Sequence, residues 1–227
     1  MPDYEAVVFD LDHTLCVSEQ NDREIHEGIF ERVGTEPFFE PEDLYGVDNT
    51  ALPDADSDRE HYLHLYQAVA EEVPADPDPE LLAALADATV EVLDPTLVSF
   101  RDGAREAFEY ARERYTVGLL TNGAVETQRA KLERLGIAEE FDAVVCCGPG
   151  TGHPSKPDPA PFRALLDDLD VPADASVYVG DRLDGDVVGA HNAGMASAWV
   201  PTDEGPSEPD PEPTYLLASP AELSTVL

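Results

Sequence analysis

The sequence predicts an α/β fold, a doubly wound parallel sheet with a helical domain inserted after its first strand. Three observations carry this. The unbroken apolar run Ala6–Phe9 stops abruptly at the carboxylates Asp10 and Asp12, as a strand buried on both faces does. From about residue 96 onward, helical and strand patterns alternate, the rhythm of strands joined by crossover helices. Between these regions, residues 17–95 carry helical periods and proline breaks but no strand alternation. The expected division is therefore residues 1–16 and 96–227 as the sheet domain and 17–95 as the insertion.

Each element has its own signal. After Leu15 the strand pattern stops. Residues 21–33 place Ile25, Ile29, Phe30 and Val33 at helical spacing. Residues 36–58 are acidic, contain Pro37, Pro41 and Pro53, and read as loop with a turn of helix. Tyr62, Leu65, Tyr66 and Val69 mark a helix over 61–73, which the prolines of 74–79 end. Leu81, Leu82, Leu85 and Val92 mark the next, over 80–93. Beyond Pro95, a helix over 104–114 buries Ala107, Phe108 and Ala111, and a strand over 116–120 runs into Thr121-Asn122-Gly123. A helix over 125–135 stops at Gly136, a residue suited to the left-handed turn past a helix end. There follow a strand (143–147), a Gly/Pro loop (148–159), a helix (160–169), a strand (176–179), a helix (186–193) and a strand (196–200). A Pro- and acid-rich loop (202–213) leads to a short edge strand at 215–217.

Composition narrows the function. The 227 residues include 49 acidic and 13 basic ones, a formal net charge of −36, and Lys131 and Lys156 are the only lysines. Nucleic acid is excluded as a partner, because binding it needs a basic face. Such acidity fits a halophilic cytoplasm, where the Debye length falls to about 3 Å at 1 M salt and self-repulsion is screened. Neither a signal peptide nor an apolar run near 20 residues is found, so a cytoplasmic location without membrane insertion is expected. Cys16, Cys146 and Cys147 form no framework spacing and read as reduced thiols. A metal site joining them to His153 is disfavoured by the absence of ligand spacing.

The chemistry gathers at strand ends. In open parallel sheets, ligands bind beyond the carboxyl edge, where Asp10 falls. If the chain stays extended for two more residues, Asp10 and Asp12 point to one side. Two carboxylates in one crevice suit a nucleophile with an acid/base, or a hard-metal site. Three further polar signals fall at later strand ends or the loops beside them. These are Thr121-Asn122-Gly123, Lys156-Pro157-Asp158, and Gly180-Asp181-Arg182-Leu183-Asp184-Gly185-Asp186.

With Asp10-Leu11-Asp12-His13-Thr14, these motifs resemble in order and spacing the haloacid dehalogenase superfamily, in its large phosphatase branch. The resemblance covers residues 1–16 and about 96–227. It implies a Rossmann-like core, with residues 17–95 as the family's small helical cap, placed as a lid beside the site. It implies Asp10 as the nucleophile that becomes an aspartyl phosphate, and Asp12 as the general acid/base. It implies that Thr121 and the amides of Asn122 and Gly123 hold phosphoryl oxygens, and that Lys156 neutralises charge. Mg²⁺ would be held by Asp10, Asp181 and the Asp12 backbone carbonyl, with Asp186 orienting metal-bound water or Lys156. The implied activity is hydrolysis of a small phosphorylated metabolite. A sugar phosphomutase would use the same residues. A dehalogenase would need neither Asp12 nor Mg²⁺. A phospho-aspartate receiver would carry its aspartate at the third strand. Substrate identity and oligomeric state are left open by the sequence. Thr121 also reads as a helix N-cap, Asp184 as a surface acid, and Arg182 as a substrate ligand or an acid's partner. His13 adjoins the acid/base and could touch substrate. His61, His64 and His191 read as surface or packing residues, and the cap aromatics as its core.

Overall fold

The computed structural model describes residues 4–47, 51–53, 55–202 and 209–227. In chain order the elements are β1 (Ala6–Phe9), β2 (Cys16–Ser18), α1 (Asp22–Val33), α2 (Pro41–Tyr45), α3 (Asp58–Glu72), α4 (Pro79–Val92), β3 (Val98–Phe100), α5 (Ala104–Arg112), β4 (Thr116–Asn122), α6 (Val125–Leu135), β5 (Ala143–Cys147), α7 (Pro159–Leu169), β6 (Ser176–Gly180), α8 (Val188–Ala193), β7 (Ala196–Trp199), β8 (Tyr215–Leu216) and α9 (Leu223–Val226). The chain divides into two units, Met1–Val17 with Val98–Leu227, and Ser18–Leu97.

In the first unit, six strands form one sheet in the order β5-β4-β1-β6-β7-β8, with every pair parallel. β1 lies between β4 and β6, with Phe9 opposite Leu119 on one side and Val179 on the other. The chain builds outward from β1 to β5, then returns to add β6 on β1's other edge, so the winding reverses around β1. That reversal opens a crevice at the carboxyl edge.

The apolar run of β1 reflects burial on both faces. Val7 and Phe9 join a core with Leu119, Val179, Phe108 and Leu132. Ala6 and Val8 join the opposite core with Tyr178, Phe162 and Leu165. All four β1 residues are completely buried, and each large apolar side chain so buried contributes about 1.5–3 kcal/mol. The second unit has its own core, in which Ile29, Phe30, Phe39, Tyr66, Val69 and Leu85 pack together. Its helices start at side-chain caps: Asn21 accepts from the Arg23 amide, Ser57 from Glu60, and Asp78 from Leu81.

Three expectations need correction. The chain is not free of strand after Leu15, because β2 and β3 form a two-stranded sheet at the boundary of the insertion. At three residues each they are too short to show a period. The helix expected over 186–193 begins as a π-type turn, Leu183–Val187, in which the amides of Asp186 and Val187 both reach the Arg182 carbonyl at 3.0 and 3.2 Å. The chain also ends in the unforeseen short helix α9. Of the loops expected over 36–58 and 202–213, residues 48–50, 54 and 203–208 lie outside the described residues. Among the described residues, no helix is long and apolar enough to cross a membrane.

Candidate active site

β1 delivers Asp10 to the carboxyl edge, where its amide continues the ladder to the Val179 carbonyl at 2.9 Å. Only 5% of Asp10 is exposed. Its carboxylate accepts from Lys156 Nζ at 2.8 Å, and the same ammonium donates to Asp186 at 2.7 Å and to the Tyr178 hydroxyl at 2.9 Å. Tyr178 in turn donates to the Leu120 carbonyl at 2.7 Å. Lys156 and Asp186 are themselves buried. Burial opposes a charged ammonium, but Asp10 and Asp186 outweigh it and hold the Lys156 pKa above its ordinary value. Burial pushes Asp10 up to about 7, against the pull of Lys156 and with the repulsion of Asp186 and Asp181 adding to the rise.

The last residue of β6 is glycine for a steric reason. The π-type turn folds Asp186 back over Gly180, and a β-carbon there would collide with the Asp186 carboxylate. Asp186 also accepts from the Arg182 amide at 2.9 Å. Asp181 accepts weakly from the Thr14 hydroxyl at 3.3 Å, while its carbonyl accepts from the Trp199 indole at 2.7 Å. Its pKa is raised, first by burial and then by Asp186.

Among the described residues, Asp10, Asp181 and Asp186 form the one grouping of potential metal ligands, with an oxygen from each within 4.8 Å of the others. Three carboxylates and one buried ammonium leave an excess of negative charge. An all-oxygen donor set of this kind suits a hard divalent cation such as Mg²⁺. The three cysteines are free thiols, and no cysteine–His153 grouping occurs among the described residues.

Asp12 does not share Asp10's partners. The chain turns after Asp12, which forms a β-bridge with Cys16, and the Leu11 carbonyl takes the amides of Thr14, Leu15 and Cys16. His13 adopts φ 58°. Arg101 steadies this turn by donating to the carbonyls of His13, Val200 and Pro201 at 2.6, 2.8 and 2.6 Å. The Asp12 carboxylate meets Lys131 Nζ at 2.7 and 2.8 Å and Gln128 Nε2 at 2.9 Å, both from α6. Burial works to raise its pKa, but Lys131 and these hydrogen bonds override it, so the group lies below its ordinary value. Its side chain keeps 40% of its surface open.

The fully buried Thr121, the last residue but one of β4, accepts from Gln128 Nε2 at 2.8 Å. It does not cap α6, whose N-cap position is Ala124. Asn122 Oδ1 accepts from the Lys156 amide at 3.1 Å and so ties two motifs together. Gly123 adopts φ 131°, and a β-carbon on it would press on Gln128. The Gly123 amide donates to the Cys147 carbonyl at 2.9 Å. Arg182 pairs with Asp184 at 2.6 Å, and both are exposed.

Gln128, Lys131, Tyr178 and Arg101 were not singled out from the sequence. Lys131 did carry a signal, as one of two lysines in a chain that otherwise uses arginine. Gln128 lies three residues before it, one helical turn away on the same face.

The family model of haloacid dehalogenase-like hydrolases matches residues 4–194. The chain belongs to the haloacid dehalogenase-like hydrolases. The glyceraldehyde 3-phosphate phosphatase of Methanopyrus kandleri is 30% identical, over 98% of this chain and 97% of that protein. The phosphoserine phosphatase of Thermus thermophilus is 39% identical over 52% of this chain and 47% of its own length. The HAD-hydrolase YfnB of Bacillus subtilis, solved with magnesium bound, superposes with a TM-score of 0.74 at 22% identity, covering 99% of this chain and 98% of that one. The shared fold is this α/β sheet with a helical insertion. Family membership, with phosphatases among the relatives, makes the chain a phosphoester hydrolase.

Proposed function

We propose that the protein is a Mg²⁺-dependent phosphatase that cleaves a small phosphorylated metabolite through an aspartyl phosphate on Asp10. One observation carries this reading: the buried Asp10–Lys156–Asp186 network at the carboxyl edge of β1. A carboxylate so placed is a preorganised nucleophile with a cation against it.

In the first step, an Asp10 oxygen attacks phosphorus. The bond from phosphorus to the leaving oxygen breaks, and that oxygen takes a proton from Asp12. Lys156, held between Asp10 and Asp186, offsets the charge gathering on the phosphoryl group. Thr121 and the Asn122 amide orient the phosphoryl oxygens. In the second step, water attacks the phosphorus of the aspartyl phosphate and gives a proton to Asp12. The Asp10–phosphorus bond breaks, and inorganic phosphate leaves. The contacts of Asp12 with Lys131 and Gln128 favour its carboxylate form, the form this second step uses.

Asp10, Asp181 and the Asp12 backbone carbonyl would hold Mg²⁺, with Asp186 orienting Lys156 beside it. The cation would offset the charge of the carboxylates and of the incoming phosphate. Residues 18–97 are the cap that selects the metabolite.

The test is a panel of phosphomonoesters that includes glyceraldehyde 3-phosphate, phosphoserine and an aryl phosphate, assayed with Mg²⁺ in molar KCl. At least one should release phosphate. EDTA should abolish the release, and added Mg²⁺ should restore it. Undiminished turnover by exhaustively chelated enzyme refutes the metal requirement, and silence across the whole panel refutes the phosphatase reading.

A further inference from the structure

We propose that Gln128 and Lys131 are positioning residues, which fix the Asp12 carboxylate relative to Thr121 for attack by water on the phosphoenzyme. The inference rests on the reading of Asp12 as acid/base and adds to it the two side chains that aim it.

The geometry is specific. Lys131 Nζ reaches both Asp12 oxygens, at 2.7 and 2.8 Å. Gln128 Nε2 lies 2.9 Å from Asp12 Oδ2, 2.8 Å from Thr121 Oγ1 and 2.6 Å from the Asn122 carbonyl. One buried amide therefore joins the loop after β1 to the end of β4. Turning the amide over would set its oxygen against two acceptors that cannot donate, the Asp12 carboxylate and the Asn122 carbonyl. Gln128 is 1% exposed, and Gly123 leaves the room its side chain needs.

The two contacts also apportion the carboxylate. Oδ2 carries both Gln128 and Lys131, whereas Oδ1 carries Lys131 and only a long contact from the Cys16 thiol at 3.8 Å. A carboxylate oxygen accepts about two good hydrogen bonds. Oδ1 is thus the oxygen with room for a water molecule. Both donors come from one turn of α6, a rigid element anchored by buried Leu132 and Leu135. A carboxylate free to swing would lose this aim, and a misplacement of about 1 Å costs on the order of 10²-fold in rate.

The experiment compares the full-length enzyme with Lys131→Met, Lys131→Arg and Gln128→Met on an aryl phosphate with an acidic phenol, in molar KCl with Mg²⁺. Rapid quench follows phenol and protein-bound phosphate. Such a phenol leaves without protonation, so the first step should stay fast and the second should reveal the loss. Lys131→Met and Gln128→Met should each show a phenol burst of about one per site, accumulated phosphoenzyme, and a kcat lowered by about 10- to 100-fold, with rapid-equilibrium binding of a competitive phosphate analogue unchanged. Lys131→Arg should recover much of the rate, because guanidinium presents paired N–H groups to both carboxylate oxygens. Melting curves check folding, and Lys131→Gln replaces any Lys131→Met protein that melts early. Wild-type kcat in both Lys131→Met and Gln128→Met overturns the proposal. So does weakened analogue binding with no trapped phosphate, which would make Lys131 a binding residue. A slowed first step overturns it too. If instead Asp10→Ala still turns over this ester, the covalent reading itself fails. If the wild type passes through a phosphoenzyme whose hydrolysis the α6 variants leave untouched, only the positioning role fails.

Discussion

Asp10 and Asp12 are two residues apart in the chain, yet each faces a different lysine. Asp10 is buried against Lys156 and its pKa is pushed up, while Asp12 is half open, gripped by Lys131 and pushed down. Different surroundings give the same functional group different work. The proposed roles predict different failures. With an aryl phosphate whose phenol leaves unaided, Asp12→Asn should release about one phenol per site and then stall as phosphoenzyme, since general-base help is worth about 10²–10⁴-fold. Asp10→Ala should give neither burst nor bound phosphate. Steady turnover of Asp12→Asn without bound phosphate, or phosphate trapped on Asp10→Ala, would reverse the assignments. Asp10 was legible because a strand so apolar ends so sharply. Lys131 and Gln128 were not, because their contact with Asp12 spans 119 and 116 residues of chain, and no local period reports a contact across that distance.

At the scale of elements, β1 is the axis, since every motif sits on a strand end or loop gathered around it. Three elements escaped the sequence for a common reason, the lack of a readable period. β2 and β3 are too short for periodicity, and the turn Leu183–Val187 departs from the helical period that would have marked it. That turn nevertheless brings Asp186 back over Gly180 onto Lys156. The insertion Ser18–Leu97 has a separate apolar core around Phe30, Tyr66 and Leu85, so it should transfer as a unit. As the proposed cap, residues 18–97 exchanged for the corresponding segment of a related phosphatase should change the preferred metabolite. Turnover of the activated aryl phosphate should persist. An unchanged ranking across the metabolite panel would move specificity to the loops of the sheet domain.

For the whole molecule, charge dominates. A formal net charge of −36 with 13 basic residues leaves most carboxylates without a cation. The arginine pairs present, such as Arg59–Asp87, Arg112–Glu140 and Arg129–Glu133, are solvent-exposed, and such pairs contribute only about 0–1 kcal/mol each. Unscreened repulsion therefore opposes the compact state. The melting temperature should rise steeply from low salt into molar KCl, and a flat salt profile by circular dichroism would refute the halophilic reading. The sequence by itself determined the alternation of strands and helices, the helical insertion and the four motifs, because burial on a pleat or a helix face writes a short-range period into the chain. Only the tertiary structure decided which lysine serves which aspartate, that the Gly123 amide donates to Cys147, and that one glutamine joins Asp12 to Thr121. Those choices depend on distances between strand ends, which parallel pairing and crossover helices set, and neighbours along the chain carry no record of them.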